Sequence, residues 1–218
     1  MAGVLLYAGA SPLLKRAPWL RVRPCGASII FKIAVIREYL LWTGHLDASK
    51  RTLSKHMEKR ADDIGIVVGG EKEALLTRNG QEAVVLAGRT GFVALACKFG
   101  YHLVPSYAFG QNELYHVPET TLGGLQTWLQ RHLKWSIPVF FGRYGTPMPY
   151  AQPVTLAIGK VVKVPPPATP GAEPPAELVE AIHAQYVASL RECFEAHKAA
   201  AGYPDRELKV LDVKGRPA

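Results

Sequence analysis

The sequence contains no apolar run long enough to cross a bilayer. The closest candidate, residues 27–42, is interrupted by Lys32, Arg37 and Glu38 and falls short of the ~20 apolar residues that a spanning helix needs. The apolar N-terminus carries no leading basic residues, and Pro12 breaks its helical pattern. The sequence therefore predicts no transmembrane helix. Residues 27–42 fit two structures, a membrane-facing amphipathic or apolar segment and a buried core helix.

Cysteine is scarce, and its positions argue against two kinds of site. The three residues Cys25, Cys97 and Cys193 are odd in number, far apart and outside any C-x-x-C pair. This pattern fits neither a disulfide framework nor a zinc site. The histidines form no H-x-x-x-H or H-x-x-E-H pair, which excludes the usual zinc-protease motifs. We expect buried thiols in a reducing compartment and no metal site.

The common nucleotide and hydrolase motifs are missing as well. The chain has neither the G-x-G-x-x-G of a dinucleotide fold nor the G-x-x-x-x-G-K-[ST] of a P-loop. It also lacks the G-x-S-x-G elbow that presents the nucleophile of many serine hydrolases. Nucleotide binding by those two routes and a hydrolase triad of that kind are therefore excluded.

The chain does have an excess of basic residues, with a formal net charge of +8 and a pI of about 9.4. Such a balance favours an anionic partner, which could be nucleic acid, an anionic membrane surface or a phosphorylated substrate, although solubility alone would also account for it. The aromatic residues lie mostly within strand-like apolar runs and do not alternate with basic residues. We therefore expect no nucleic-acid partner.

Apolar periodicity alternates between helical and strand-like segments along the chain. Helices are predicted from Ile29 to near Gly44, from about Ala48 to Lys59, at 90–100, at 120–135, and after residue 175 up to Gly202. Strands are predicted at 64–68, 82–87, 102–109, 137–142 and 153–164. This order predicts an α/β fold with a mixed, mostly parallel sheet flanked by helices, followed by a C-terminal amphipathic helix.

Three of the predicted helices have a recognisable inner face. The expected inward residues are Ile29, Ile33, Ile36 and Leu40 in the first helix, Leu53 and Met57 in the second, and Leu178, Ile182, Tyr186 and Leu190 in the last. Asp47 is the expected N-cap of the second helix, and Gly100 is the expected stop of the third.

Two glycine-containing turns follow predicted strands. Gly69 and Gly70 close the first strand and meet "EKE" at once, which a tight Gly-Gly turn and a solvated charge run would explain locally. Arg143 stands between two glycines in "FGRYG", where it could be a loop ion-pair partner or a ligand-binding group at a strand end.

Several quoted segments become specific when they are taken together and in order. They are "FKIAVIREYLLWTGHLDASKRTL", "VVGGEKEAL", "RTGFVALACKFGYHLVPSYAFGQNELY", "FFGRYGTPMPYAQPVTLAIGKVVKVP" and "VEAIHAQYVASLRECFEAHKAAAGYPDRELKVLD". This combination resembles the type-2 diacylglycerol acyltransferase family, which includes monoacylglycerol and wax-ester acyltransferases. The resemblance runs from about Ala27 to the C-terminus.

The resemblance implies a domain organisation and a set of substrate-binding residues. The organisation is a divergent N-terminal segment at 1–26, a partial acyltransferase-like domain at 27–164, a Pro-rich linker at 165–175, and a C-terminal helix and tail at 176–218. The implied substrate-binding residues are Gly69, Gly70, Glu73, Arg89, Arg143 and Arg37, and a further "VP" block is formed by Val104 and Pro105.

Five of these residues have an implied role. The glycine pair would let backbone N–H groups approach the ligand, and Glu73 would orient the substrate or an adjacent basic group. Arg89 and Arg143 would contact the phosphates of coenzyme A or the glycerolipid head, because an anionic cosubstrate and a developing oxyanion both need positive charge or donors.

The chain departs from the family at the catalytic block. The family's His-Pro-His-Gly is absent because no histidine here is followed by proline, and the superfamily's H-x-x-x-x-D is absent too. His56 and Asp62 miss that spacing by one position, which would place them on different faces of a helix. The catalytic base is therefore unknown. We expect a truncated chain whose block lies before Met1, with a short protein that keeps only the lipid or coenzyme A surface as the other explanation.

The implied activity is transfer of a fatty acyl group from acyl-coenzyme A, the cosubstrate, to the hydroxyl of a diacylglycerol or monoacylglycerol. The acceptor hydroxyl is a poor nucleophile that needs a general base. No other cofactor is implied. The resemblance also implies a membrane surface at the cytosolic face of the endoplasmic reticulum, with the lipid droplet as a second location. The alternative function is a non-catalytic acyl-coenzyme A- or lipid-binding partner of active acyltransferases.

Overall fold

The computed structural model describes residues 21–60, 62–70, 73, 76, 79–116, 141–146, 148–169 and 171–217. The strands of these residues are β1 (Val22–Gly26), β2 (Leu46–Asp47), β3 (Asp63–Gly65), β4 (Glu82–Val85), β5 (Ser106–Phe109), β6 (Thr155–Ile158) and β7 (Leu208–Leu211). The α-helices are α1 (Ala34–Trp42), α2 (Lys50–Glu58), α3 (Gly91–Phe99) and α4 (Ala176–His197). The α/β class is confirmed.

The strands form three small sheets within the described residues, where one mixed sheet was predicted. β1 lies between β2 and β3, β4 pairs with β7, and β5 pairs with β6. All pairs are parallel except β5–β6, which is antiparallel. The parallel character of the prediction is thus only partly shown.

The described residues fall into two compact units. The first holds β1 to β3, α1 to α3 and the start of α4 up to Tyr186. The second holds β4 to β7 and the rest of α4. The predicted boundaries at residues 26, 164 and 175 stay a prediction.

The core of the first unit is built from α2 and α3. Leu53 and Met57 of α2 pack with Cys25, Leu95 and Phe99, as their predicted inward face requires. A second cluster joins α3 to α4 and to the chain between β6 and α4; its buried members are Val93, Ala96, Cys97, Val162, Val164, Val179 and Ile182. Gly100 ends α3 with a φ of 70°, the left-handed conformation expected of a C-terminal stop.

The predicted inner face of the first helix is wrong. Ile29, Ile33 and Ile36 are exposed, and only Leu40 of that set is buried. The helical spacing is broken because a 3₁₀ turn covers Ile30–Lys32 and Ile33 is extended, so that α1 begins only at Ala34. The predicted N-cap of α2 is also wrong: the N-cap is Ser49, and Asp47 instead accepts the N–H of Ser49 at 2.8 Å.

The core of the second unit is aromatic. Tyr107 and Phe109 of β5 pack against Phe194 of α4 with ring centroids 5.0 and 5.1 Å apart. Leu190 and Cys193 of α4 are buried beside Phe194, so the inward face predicted for this helix continues beyond Leu190.

Two predicted strands are shorter in the structure, and two other predicted elements lie wholly or mostly outside the described residues. The strand predicted at 64–68 is β3, which ends at Gly65, and the strand predicted at 102–109 is regular only from Ser106. The helix predicted at 120–135 and most of the strand at 137–142 lie outside the described residues. Among the residues that the structure does describe, no helix is both long and apolar enough to span a membrane.

The Pro-rich segment at 165–175 is exposed or half-buried where it is described. It is nevertheless attached to α3, because the N–H of Gly171 donates to the carbonyl of Lys98 and the Lys98 ammonium lies 2.6 Å from Glu173. These two contacts hold residues 171–173 against α3, so this part of the segment is less free to move than an unattached linker.

Candidate functional site

The residues that follow β3 bring Gly69 and Glu73 into direct contact. Gly69 is buried, and the carboxylate of Glu73 lies over it in the space that a side chain at position 69 would occupy. A Cβ at Gly69 would overlap this carboxylate and would lie 2.5 Å from the Cβ of Glu73. Position 69 therefore accepts only glycine while Glu73 keeps this conformation.

Gly70 supplies the change of direction. Its φ of 60° lies in the left-handed region, which glycine adopts without the steric cost that a Cβ brings. Gly70, Glu73 and Leu76 are helical, and the N–H of Glu73 approaches the carbonyl of Gly69 at 3.4 Å. The glycine pair thus turns the chain into a helical segment, so that the predicted turn is present, although it does not lead into a second strand as a hairpin would.

The Glu73 carboxylate fastens this turn to β4. Its Oε2 accepts the N–H of Val85 at 3.0 Å, at the last residue of the strand. Burial raises the pKa of Glu73 above its ordinary value of 4.5, while the Val85 N–H and the nearby Arg89 charge act in the opposite direction. A carboxylate held in this way is positioned by the backbone and not by solvent.

Arg89 reaches the same glycines from the turn after β4. Its Nη2 donates to the carbonyl of Gly69 at 3.1 Å, and its Nη1 lies 3.9 Å from a Cβ placed on Gly70. Its Nε is buried and finds no acceptor among the described residues. Four of the six residues predicted from the sequence, Gly69, Gly70, Glu73 and Arg89, therefore form one cluster in the second unit.

The other two predicted residues do not join this cluster by any contact of the described chain. Arg143 belongs to the second unit but is exposed in a 3₁₀ turn, where only its backbone is engaged, with its N–H donating to the carbonyl of Met148. Arg37 is exposed on α1 in the first unit. The structure therefore offers no hydrogen bond or ion pair, among its described residues, that would fix either guanidinium.

The two residues of the "VP" block differ in their burial. Pro105 is among the most deeply buried residues, and its carbonyl accepts the N–H of Gly159 at 2.8 Å. Val104 is exposed. Pro105 directly precedes β5, where the N–H that proline lacks is not needed for the pairing of the strand.

Comparison with known proteins decides the family. The family model of diacylglycerol acyltransferase matches residues 2–211 of this chain. The chain belongs to this family. No solved structure matches the fold significantly.

Named relatives agree with this family. Diacylglycerol O-acyltransferase 1 of Eremothecium gossypii is 35% identical over 84% of this chain and 41% of its own length. Diacylglycerol O-acyltransferase 2 of Bos taurus is 32% identical over 94% of this chain and 58% of its own length. The human 2-acylglycerol O-acyltransferase 3 is 32% identical over 86% of this chain and 56% of its own length.

The extent of the match adds two facts about this member of the diacylglycerol acyltransferase family. The chain spans about half the length of the curated relatives it matches. The family match also begins at residue 2, so it reaches further toward the N-terminus than the sequence motifs, which start near Ala27.

One buried carboxylate of this acyltransferase-family chain was missed by the sequence analysis. Glu82 opens β4 and is 3% exposed. Its Oε2 accepts the Tyr107 hydroxyl at 2.6 Å and the Asn112 amide at 3.1 Å, and its Oε1 lies 3.5 Å from Nη1 of Arg206. The one available signal was a charged residue at the start of an apolar strand. It could not have shown that β5, the 3₁₀ turn after it and the C-terminal segment would each supply a partner.

The sequence prediction for His56 and Asp62 is wrong. α2 ends at Glu58, so Asp62 lies outside the helix and the argument from helix faces does not apply. Nε2 of His56 lies 3.5 Å from Oδ2 of Asp62, although without hydrogen-bond geometry, and Nε of Arg23 donates to the same oxygen at 3.1 Å. Arg23 and Asp62 thus form an ion pair within the first unit, and the His56 ring lies beside it.

Proposed function

We propose that this chain carries the acyl-coenzyme A- and glycerolipid-binding residues of an O-acyltransferase. The reaction is transfer of a fatty acyl group from acyl-coenzyme A to the hydroxyl of a diacylglycerol or monoacylglycerol. The observation that carries the proposal is the cluster of Gly69, Gly70, Glu73 and Arg89, which lies within a chain of the diacylglycerol acyltransferase family.

Arg89 is the residue of the cluster that would meet an anionic group of acyl-coenzyme A. One of its nitrogens holds the Gly69 carbonyl, whereas its buried Nε has no acceptor among the described residues. Guanidinium groups bind phosphates through several donors in a fixed plane, so a partly anchored Arg89 would lose little freedom on binding.

Glu73 would act through Arg89 and through the shape of the turn. Its carboxylate fills the space over Gly69 and fixes the end of β4, from which the chain continues to Arg89. This arrangement favours the second of the two roles implied for Glu73, orientation of an adjacent basic group.

Arg37 and Arg143 would add positive charge outside the cluster. Both guanidinium groups are exposed, which leaves them accessible to the coenzyme A phosphates or to the glycerolipid head. The basic balance of the chain fits such a polyanionic cosubstrate.

The place of action would be a membrane surface, because the acceptor lipids dissolve in the bilayer. We propose the cytosolic face of the endoplasmic reticulum, with the lipid droplet as the second location. The family relationship supports this location through the lipid substrates named for its members.

Binding and turnover test the proposal separately. The purified chain should bind oleoyl-coenzyme A saturably, and free coenzyme A should compete. With labelled oleoyl-coenzyme A and diacylglycerol it should form no triacylglycerol by itself, because its sequence has no His-Pro-His-Gly block. Absence of saturable binding would overturn the proposal. Triacylglycerol formation would show that this chain supplies its own catalytic base.

A non-catalytic acyl-coenzyme A-binding partner would give the same two results. The transcript distinguishes the two functions: an in-frame His-Pro-His-Gly codon block ahead of the codon for Met1 supports the enzyme. A stop codon ahead of Met1 with no such block supports the binding partner.

A further inference from the structure

The outward face of α1 is apolar, which is the reverse of an ordinary surface helix. A helix on the surface of a globular protein normally turns its polar residues to solvent. In α1, Val35, Tyr39 and Trp42 follow one another at helical spacing and are 82%, 56% and 84% exposed. Leu40 is the one residue of α1 that is buried.

This face continues into a larger apolar patch. We define the α1 patch as Ile29, Ile33, Val35, Ile36, Tyr39, Leu41 and Trp42, which are all exposed. Single exposed apolar side chains are common, whereas seven of them within the fourteen residues 29–42 are unusual and indicate an interaction surface. The sequence left a buried helix and a membrane-facing segment open for residues 27–42, and the exposure of the patch favours the second.

We propose that the α1 patch docks this chain on the surface of an anionic bilayer, with Val35, Tyr39 and Trp42 inserted at the level of the head groups. Tryptophan and tyrosine combine an apolar ring with a polar atom and are enriched at this depth. Lys32 and Arg37 are exposed within the patch segment and would remain with the lipid phosphates. The proposal rests on the proposed function and deepens it, since it names the surface by which the chain would attach to the bilayer that holds the acceptor.

The charge around the patch supports a bilayer over a second copy of the chain. Between Ile29 and Arg60 the sequence has seven lysines and arginines against three acidic residues. Arg51, Lys55 and Lys59 on and after α2 are exposed in the same compact unit. Anionic lipids attract such a surface, whereas two copies joined through their patches would bring like charges together.

Flotation with vesicles tests the proposal. The vesicles are phosphatidylcholine with roughly one-third phosphatidylserine, a strongly anionic surface. The patch variant is Val35→Ser/Tyr39→Ser/Trp42→Ser, and the matched control is Met148→Ser/Ile158→Ser/Val161→Ser, three exposed apolar residues elsewhere. Circular dichroism confirms that each variant is folded.

The wild-type chain and the control should float with these vesicles. The patch variant should bind them at least about tenfold more weakly than the wild-type chain. Binding to pure phosphatidylcholine, or in about 1 M salt, should also be weaker, because the basic residues then contribute little. Wild-type affinity in the patch variant, or an equal loss in the control, would overturn the proposal.

A fluorescent label locates the contact and tests the other occupants. Acrylodan on Val35→Cys should shift its emission to shorter wavelength when vesicles are added, while the same label on Val161→Cys should not. A label at position 35 that is already shifted without lipid would overturn the proposal, since a protein segment or a second copy would then cover the patch. Vesicle binding needs neither acyl-coenzyme A nor turnover. Its loss with intact oleoyl-coenzyme A binding would therefore count against this inference alone.

Discussion

The carboxylate of Glu73 occupies the space over Gly69 that a side chain at position 69 would need. The contact joins two residues of one sequence motif and explains their types together, because the glycine makes room for the carboxylate and the carboxylate caps the end of β4 through Val85. The main requirement for glycine at position 69 is thus the internal packing of the motif. Arg89, which donates to the Gly69 carbonyl, is the cationic residue of this cluster.

Gly69→Ala should therefore destabilise the chain. The added methyl group would displace Glu73 and break its hydrogen bond to Val85, at a cost of about 1–3 kcal/mol as for other overpacked sites. Urea unfolding measures the change. Gly91→Ala is the control, since a Cβ at Gly91 meets no atom within 4 Å. An unchanged free energy of unfolding for Gly69→Ala would show that Glu73 is not held over position 69.

Arg206→Ala should destabilise the second unit by about 1–3 kcal/mol, since it leaves the buried Glu82 without its charged partner. The same substitution also removes the contact with Glu113 and the packing over the Tyr203 ring. In a Glu82→Gln background the cost should be smaller, because no buried charge is left uncompensated. Equal costs in the two backgrounds, from a double-mutant cycle in urea, would mean that Arg206 and Glu82 do not interact.

The ionisation of Glu82 should make stability depend on pH. Burial raises its pKa above the ordinary 4.5, and the Tyr107 hydroxyl and Arg206 offset this only in part. The folded chain therefore holds this proton more tightly than the unfolded chain, so this residue's contribution to stability falls as pH rises above 4.5 through the raised value. Glu82→Gln cannot ionise. Its stability relative to wild type should increase from about pH 4 to about pH 7, and a relative decrease would show that Arg206 lowers the pKa instead.

The three cysteines should be inert in the folded chain. All are buried and unpaired, as the sequence predicts, and burial with the nearby Asp47 charge raises the pKa of Cys25 to about 12. Because the thiolate is the reactive form, a disulfide reagent near pH 8 should label no thiol until the chain is unfolded and should then label three. The exposed thiol of Val35→Cys is the positive control. Rapid labelling of wild type would place a thiol at the surface.

Local patterns were sufficient to predict some elements. α2, α3 and α4 have apolar residues at helical spacing that the structure buries, and the αL conformation at Gly100 follows from glycine's freedom at positive φ. The glycine pair, Glu73 and Arg89 were found through the order of motifs in a family. The contacts among these residues could not be predicted, because they depend on the path that places the end of β4 and Arg89 beside the glycine pair.

Other features depend on partners far away in sequence. The spacing of Ile29, Ile33, Ile36 and Leu40 predicts a helical face, but the 3₁₀ turn and the extended Ile33 break it before α1 begins. Glu82 is satisfied by residues 25 to 124 positions away, which no local pattern contains. His56 and Asp62 approach each other only because α2 ends between them.

The affinity for oleoyl-coenzyme A of matched variants tests the central claim most directly. Glu73→Gln and Arg89→Gln change the cluster, whereas Glu195→Gln and Arg216→Gln alter surface ion pairs of the same unit. With all four variants folded, each cluster variant should bind about tenfold more weakly than wild type, a loss of about 1.4 kcal/mol, and each control should bind as wild type does. Wild-type affinity in folded Glu73→Gln and Arg89→Gln would contradict the assignment of this cluster as the acyl-coenzyme A site.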